Sequence, residues 1–199
     1  MKIELHLHTA RYSSCAVSTP HELMNALLAG GYQAVFITEH DAVWADWELD
    51  NLRKEFPAIR IFPGMELSFG ETSREHLLIL GSNDRAYLGL QPGEAVARAR
   101  HHGHMSVLAH PFRWSGGDAM LKVGMLPDAI EYRTCNQDAA SAVIASQRAS
   151  QLGLPLVNAG DIHSVDMLNR YWIDTSRDVD NPSDIRNIIT GSQYVNQTA

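Results

Sequence analysis

The chain has little cysteine, no long apolar run and no surplus of basic residues, and each shortage removes a class of protein. Cys15 and Cys135 are the only cysteines among 199 residues, so a disulfide framework is not expected and a reducing compartment, the cytoplasm, is the expected location. The opening Met1-Lys2-Ile3-Glu4-Leu5-His6-Leu7-His8 alternates polar and apolar side chains, unlike a secretion signal, and no apolar segment is long enough to cross a bilayer. No membrane partner is therefore expected. A formal net charge of -7 works against an extended nucleic-acid surface, which relies on clustered Lys and Arg. Divalent cations held by some of those acids would cancel the charge locally, where an anionic substrate lands. A G-x-S-x-G elbow, a phosphate-binding P-loop and a dinucleotide fingerprint are also missing, which sets aside the common serine hydrolases, nucleotide kinases and Rossmann enzymes.

With 45% hydrophobic and 20% charged residues, the chain has the composition of an ordinary globular protein, and its length suits one domain over residues 1–199. Strand-like runs at residues 2–8, 34–38, 59–62, 76–81, 106–109, 129–133 and 156–159 alternate with helix-like segments at 19–29, 44–55, 92–102 and 138–151. This pattern predicts an α/β fold with a mainly parallel sheet or barrel. Ser18-Thr19-Pro20 offers a helix cap followed by proline, and Gly30-Gly31 a stop. Ser115-Gly116-Gly117 reads as a flexible loop, and the polar tail from Gly191 to Ala199 is expected to fray.

The histidines carry the chemistry, because six of the ten stand at or near predicted strand ends. In α/β barrels the strand ends converge on one face, so residues distant in sequence meet there around a ligand. His6 and His8 are two apart on a strand and project to one side, suiting them to share a cation while Leu7 packs. Residues 34–38 deliver Glu39-His40-Asp41, and residues 156–159 deliver Asp161 and His163. Buried charge at the end of an apolar strand costs several kcal/mol unless something compensates it, and a metal does. Glu66 is the candidate bridge between two cations, with His76 and His110 placed to complete a second site. Pro111 is expected to keep His110 extended.

Taken as an ordered set, His6-Leu-His8-Thr, Thr38-Glu-His40-Asp, Gly64-Met-Glu66, His110-Pro111 and Gly160-Asp-Ile-His163 make the chain resemble the PHP (polymerase and histidinol phosphatase) family over roughly residues 1–170. The resemblance implies a distorted seven-stranded (β/α) barrel, TIM-barrel-like, holding two or three divalent ions of zinc, manganese or iron. It implies His6, His8, Glu66 and Asp161 around one metal, Glu66, His76 and His110 around a second, and His40 with His163 around a third. Cys15 stands where relatives often have a further His or Asp ligand, Glu39 where they usually have Asp, and Ala159-Gly160 where they have Gly-Ser.

Each residue also has a plainer reading. Glu66 has the alternative of a solvated turn residue and His76 that of an edge-strand residue, while Cys15 is more often a small buried hydrophobe than a ligand. Cys135 is read as structural, His21 as a surface residue, and His101, His102 and His104 as a helix-end group suited to the dipole and solvent. Arg113, three residues past His110, is the cation best placed to grip a phosphate, with Arg11 next and Arg133 and Arg170 weaker. The expected activity is hydrolysis of a small phosphate monoester by water activated between cations, with His163 a candidate acid for the leaving group. The alternatives are phosphodiester cleavage of short nucleic acid, an amidohydrolase, and a metal-binding module without catalysis.

Overall fold

Residues 2–7, Lys-Ile-Glu-Leu-His-Leu, form the first strand of the sheet, β1 (Lys2–Leu7), in a computed structural model that describes residues 1–72, 74–114, 119–121 and 126–199. The loop expected at residues 115–117 lies outside the described residues. Thr19 caps α1 (Pro20–Ala29) through a reciprocal box with Glu22, proline opens the first turn, and Gly31 at φ 76° leaves the helix in a backbone conformation glycine adopts without strain. The chain continues as β2 (Ala34–Ile37), α2 (Asp46–Glu55), β3 (Arg60–Phe69), β4 (Glu75–Leu80), α3 (Pro92–His102), β5 (Met105–Ala109), β6 (Ala129–Arg133), α4 (Ala139–Leu152), β7 (Leu156–Asn158), β8 (Tyr171–Thr175), α5 (Asp184–Thr190) and β9 (Tyr194–Thr198).

One nine-stranded sheet runs in the order β7-β6-β5-β4-β3-β2-β1-β8-β9, which corrects the expected count of seven. The run from β1 to β7 curls until its ends meet. Leu7 bridges Ile162 in parallel, with His8 N donating to Ile162 O at 2.8 Å and Ile162 N to His6 O at 3.0 Å. At the opposite end β8 and β9, an antiparallel pair joined through α5, are wedged between β1 and β7. Lys2 and Ile3 pair with Asp174 and Ile173, while Tyr194 Oη and Asn196 Nδ2 donate to Leu156 O. The tail expected to fray is therefore a strand, because its polar Asn196 finds backbone partners instead of water.

The sheet is also less parallel than expected. Among the described residues no helix separates β3 from β4, and β4 runs antiparallel to both neighbours. Pro63 does not end β3, since Gly64-Met65-Glu66-Leu67-Ser68-Phe69 pairs on with β4. Reversal puts the start of β4, with His76, opposite Ser68 and Ala109 at the end of the sheet where β5 finishes.

Ile3, Leu5, Phe36, Phe62, Leu78, Val107 and Val157 pack together inside the curl, and Ile185, Ile188 and Ile189 of α5 belong to the same cluster. The opposite face packs against α1 and α2 through Leu7, Val35, Ile37 and Ile61, and against α3 and α4 through Leu77, Ile79, Leu108 and Ile130. Apolar burial on both faces is what a sheet covered by helices requires. Among the described residues no helix is long and apolar enough to cross a membrane.

Candidate metal centre

A fault in β1 aims His6 and, just past the strand, His8. Ile3 and Leu5 belong to the cluster inside the sheet, yet Leu7 belongs to the one beneath α1 and α2, and the register with β2 shifts between Glu4 and Leu7. A bulge moves the alternation by one residue, so His6 and His8 share the interior side with Leu5. The carboxyl of Glu4 takes up the slack. Its Oε1 accepts from His6 N at 3.0 Å and from Gly160 N at 2.7 Å, while Oε2, buried, has no hydrogen-bond partner. A Cβ on Gly160 would stand 2.3 Å from Ile162 Cδ1 and 2.7 Å from Glu4 Oε2, so only glycine fits.

His110 is re-aimed by a different device. Proline was expected to hold it extended, but its φ is 26°, which turns the ring away from the side that strict alternation after Ala109 would give it. Asp161, at φ 50°, is the other candidate ligand in the left-handed region. Asn136 Nδ2 clamps it, donating to Asp161 O at 2.9 Å and Oδ2 at 2.8 Å. Such conformations cost about 1–3 kcal/mol each and persist where surrounding bonds over-determine them.

Everything converges on Glu66, which is fully buried. Its Oε2 lies 3.2 Å from His6 Nε2, 3.1 Å from His8 Nε2 and 3.0 Å from His40 Nδ1, and its Oε1 lies 2.8 Å from His76 Nδ1 and 2.9 Å from His110 Nε2. Asp161 Oδ1 is 3.4 Å from both His6 Nε2 and His8 Nε2. Among the described residues, four groups bring three ligand atoms each within reach of a common ion: His6, His8, Glu66; His6, His110, Asp161; His40, Glu66, His76; and His8, His40, His163.

The donor chemistry fits a cation. His6 Nδ1 donates to Glu131 Oε1 at 2.7 Å, leaving Nε2 bare. Ser13 Oγ gives its proton to Glu39 and so accepts from His8 Nδ1 at 3.2 Å, leaving that Nε2 bare as well. The two bare nitrogens are 2.9 Å apart, and beside them Glu66 Oε2 is buried without a hydrogen bond. Lone pairs facing lone pairs at these distances repel unless positive charge sits among them. In the metal-free chain protons supply it. Burial alone would lower His6 and His8, but Glu66 and Asp161 outweigh burial at both, with Glu131 adding at His6, and raise both above the usual 6.5. Burial would likewise raise Glu66 and Asp161, yet the imidazoles, His6 first, hold both far below the ordinary carboxylate range.

His40 is pushed down to about 4, chiefly by burial, and His163 is lowered by burial and the neighbouring His8. His163 Nδ1 donates to Asp161 O at 3.0 Å, so its Nε2 is a bare ligand atom on a neutral ring. That arrangement suits coordination better than proton donation. Glu39 faces away from the cluster, accepting from Thr9, Ser13 and Trp44 Nε1, and so shapes the 9–17 loop instead of binding an ion.

Cys15 is exposed and, among the described residues, joins none of the four groups; His8 stands with His40 and His163 instead. Cys15→Ser is expected to leave bound metal per chain unchanged in elemental analysis, and loss of one equivalent would restore the thiol as a ligand. Arg113 Nη1 lies 3.9 Å from Asp161 Oδ2, with its guanidinium 4.6 Å from the Trp114 ring. Arg11 is instead tied to Glu48, 2.6 Å from Nη2 to Oε1. His104 bonds Tyr87 Oη at 2.7 Å, and with His101 and His102 it stays outside the four groups. Beside His76 and His110 opens a cleft of about 270 Å³, bordered by Arg74, Arg113 and Trp114.

Sequence reasoning passed over four supporting residues, Glu4, Ser13, Glu131 and Asn136. Glu131 left a readable signal, an acid directly after the apolar Ala129-Ile130 at the buried start of a strand. The bond made by Asn136, in the loop after β6, left none.

No protein-family model matches the chain. It is 26% identical over 122 residues to an uncharacterized protein of Methanocaldococcus jannaschii, covering 56% of this chain and 68% of the other. A two-domain protein of Bacteroides vulgatus, described as containing a predicted PHP-like metal-dependent phosphoesterase, superposes with a TM-score of 0.73 at 15% identity over 100% of this chain. The chain spans 64% of that protein's length. An amidohydrolase of Chromobacterium violaceum, solved with sulfate and no metal, gives a TM-score of 0.65 at 15% identity, covering 82% of this chain and 88% of its own. At these identities the likeness establishes the shared fold.

Proposed function

We propose that residues 1–199 form one unit, a metal-dependent phosphoesterase that hydrolyses a small phosphate monoester in a reducing compartment such as the cytoplasm. The observation that carries this reading is the meeting of bare imidazole nitrogens with the unbonded Glu66 Oε2, a donor set suited to zinc, manganese or iron. His6, His8, Glu66 and Asp161 would hold one ion, Glu66, His76 and His110 a second, and His40 with His163 a third. Bound there, the ions would supply Lewis acidity that activates water and offsets phosphate charge.

The chain's own residues do the rest. Arg113, beside Asp161 and stacked on Trp114 at the cleft, would hold nonbridging phosphate oxygens. Glu66 keeps five imidazoles within 3.2 Å of its two oxygens, so the reacting group meets a preset arrangement. The acidic balance of the chain favours a small substrate over an extended nucleic acid.

Purified protein is expected to hydrolyse a simple aryl phosphate, to lose that activity to a chelator, and to regain it with manganese or zinc. Full turnover in metal-free protein would overturn the reading. The fold shared with the Chromobacterium amidohydrolase supports a second one, C–N bond hydrolysis at the same centre, and an N-acyl amino acid assayed in parallel separates the two.

A further inference from the structure

Glu131 is buried on β6 and, among the described residues, joins none of the four groups of candidate ligands. Oε1 accepts from His6 Nδ1 at 2.7 Å, and Oε2 accepts from the backbone N of His110 at 2.6 Å. One bond fixes which nitrogen of the His6 ring is bare. The other holds the peptide of a residue whose φ of 26° is rarely adopted outside glycine. His6 and His110 each contact Glu66, on different oxygens, Oε2 and Oε1.

We propose that Glu131 is a positioning residue that presets one ligand in each of two neighbouring metal sites, so that the sites fill and empty together. The inference rests on the metal-centre reading above. A carboxylate can do this because both of its oxygens accept, and the two N–H groups it serves come from β1 and from the residue that follows β5. Glutamine, of the same shape, has one acceptor and one donor. It can satisfy the His6 ring or the His110 peptide, and whichever it fails meets an N–H aimed at an N–H, or a His6 ring flipped to carry its proton on Nε2, where the ion should sit.

Metal affinity of wild type and Glu131→Gln is measured by competition with a chelator of known zinc affinity, with metal per chain counted along the titration. Wild type is expected to bind at least two zinc ions. Glu131→Gln is expected to bind them about 10–100-fold more weakly, the usual cost of losing an outer hydrogen bond to a ligand, with both equivalents lost over the same range. A purely structural role would lower the thermal midpoint of the metal-free protein and leave zinc affinity alone, which would overturn the proposal. Loss of one equivalent only would overturn the coupling. Wild type that binds no zinc would sink the metal-centre reading itself. Should Glu131→Gln not fold, proton-detected nitrogen spectra of zinc-loaded wild type decide. A slowly exchanging proton on His6 Nδ1 is expected, and its absence would overturn the assignment.

Discussion

Glu66→Gln is expected to abolish tight metal binding and to cut hydrolysis of an aryl phosphate by about a thousandfold or more, the upper end of what a lost electrostatic stabiliser costs. The expectation follows from two oxygens serving five rings. Oε2 faces His6, His8 and His40, and Oε1 faces His76 and His110, so one carboxylate spans the whole centre. An amide offers one oxygen and no charge, and its NH2 directs protons at nitrogens that should be bare. The metal-free fold is expected to survive, because those same protons give the bare nitrogens something to bind. The check is thermal unfolding with and without added zinc or manganese. Wild type should gain stability on metal addition, since a ligand that binds only the folded state raises its midpoint, whereas the variant should gain almost none. A variant with a wild-type metal shift and turnover would remove Glu66 from the centre.

How far the sequence reveals this arrangement depends on whether the local pattern alone decides the geometry. β2, β5 and β7 are readable because each is a short, mainly apolar run that ends in polar residues, β1 because its polar and apolar side chains alternate, and the histidines and acids at those ends do come together. The helix over Pro92–His102 is readable from its proline and glycine punctuation. The β1 bulge is not, because one extra residue in a ladder leaves no mark on composition and is set by the neighbouring strand. The β3–β4 hairpin hid behind Pro63, and the antiparallel β4 that places His76 hid with it. β8 and β9 lie beyond the stretch that resembles the PHP family, and β9 is polar enough to pass for a tail. His110 shows the sharpest limit. Its proline argues for an extended residue, and the 2.6 Å bond from its peptide to Glu131, 21 residues away, overrides that preference.

The buried acid behind the centre yields the second large effect. Glu4 has a carboxyl pushed up to about 8 from 4.5, first by burial and in smaller part by Glu131, against the opposing bonds from Gly160 and His6. Between these values the folded metal-free chain keeps a proton that the unfolded chain has released, so stability falls as pH rises across that window. The loss is absent below about 4.5 and complete above about 8. At about 1.4 kcal/mol per unit it amounts to a few kcal/mol. Glu4→Gln keeps an oxygen for both N–H donors, His6 and Gly160, and cannot ionise. Its extra NH2, in the place of an oxygen that has no partner, costs about 1–3 kcal/mol at every pH. The two stability curves of the metal-free proteins are therefore expected to cross, with wild type ahead near pH 5 and the variant ahead at pH 8 and above. Urea unfolding at a series of pH values measures this, and parallel curves would show that Glu4 is ionised throughout. A neutral Glu4 also keeps negative charge on the far side of His6 from competing with Glu66 and Asp161 for a cation, so the acid that holds the bulge leaves the centre's charge to the residues that face it.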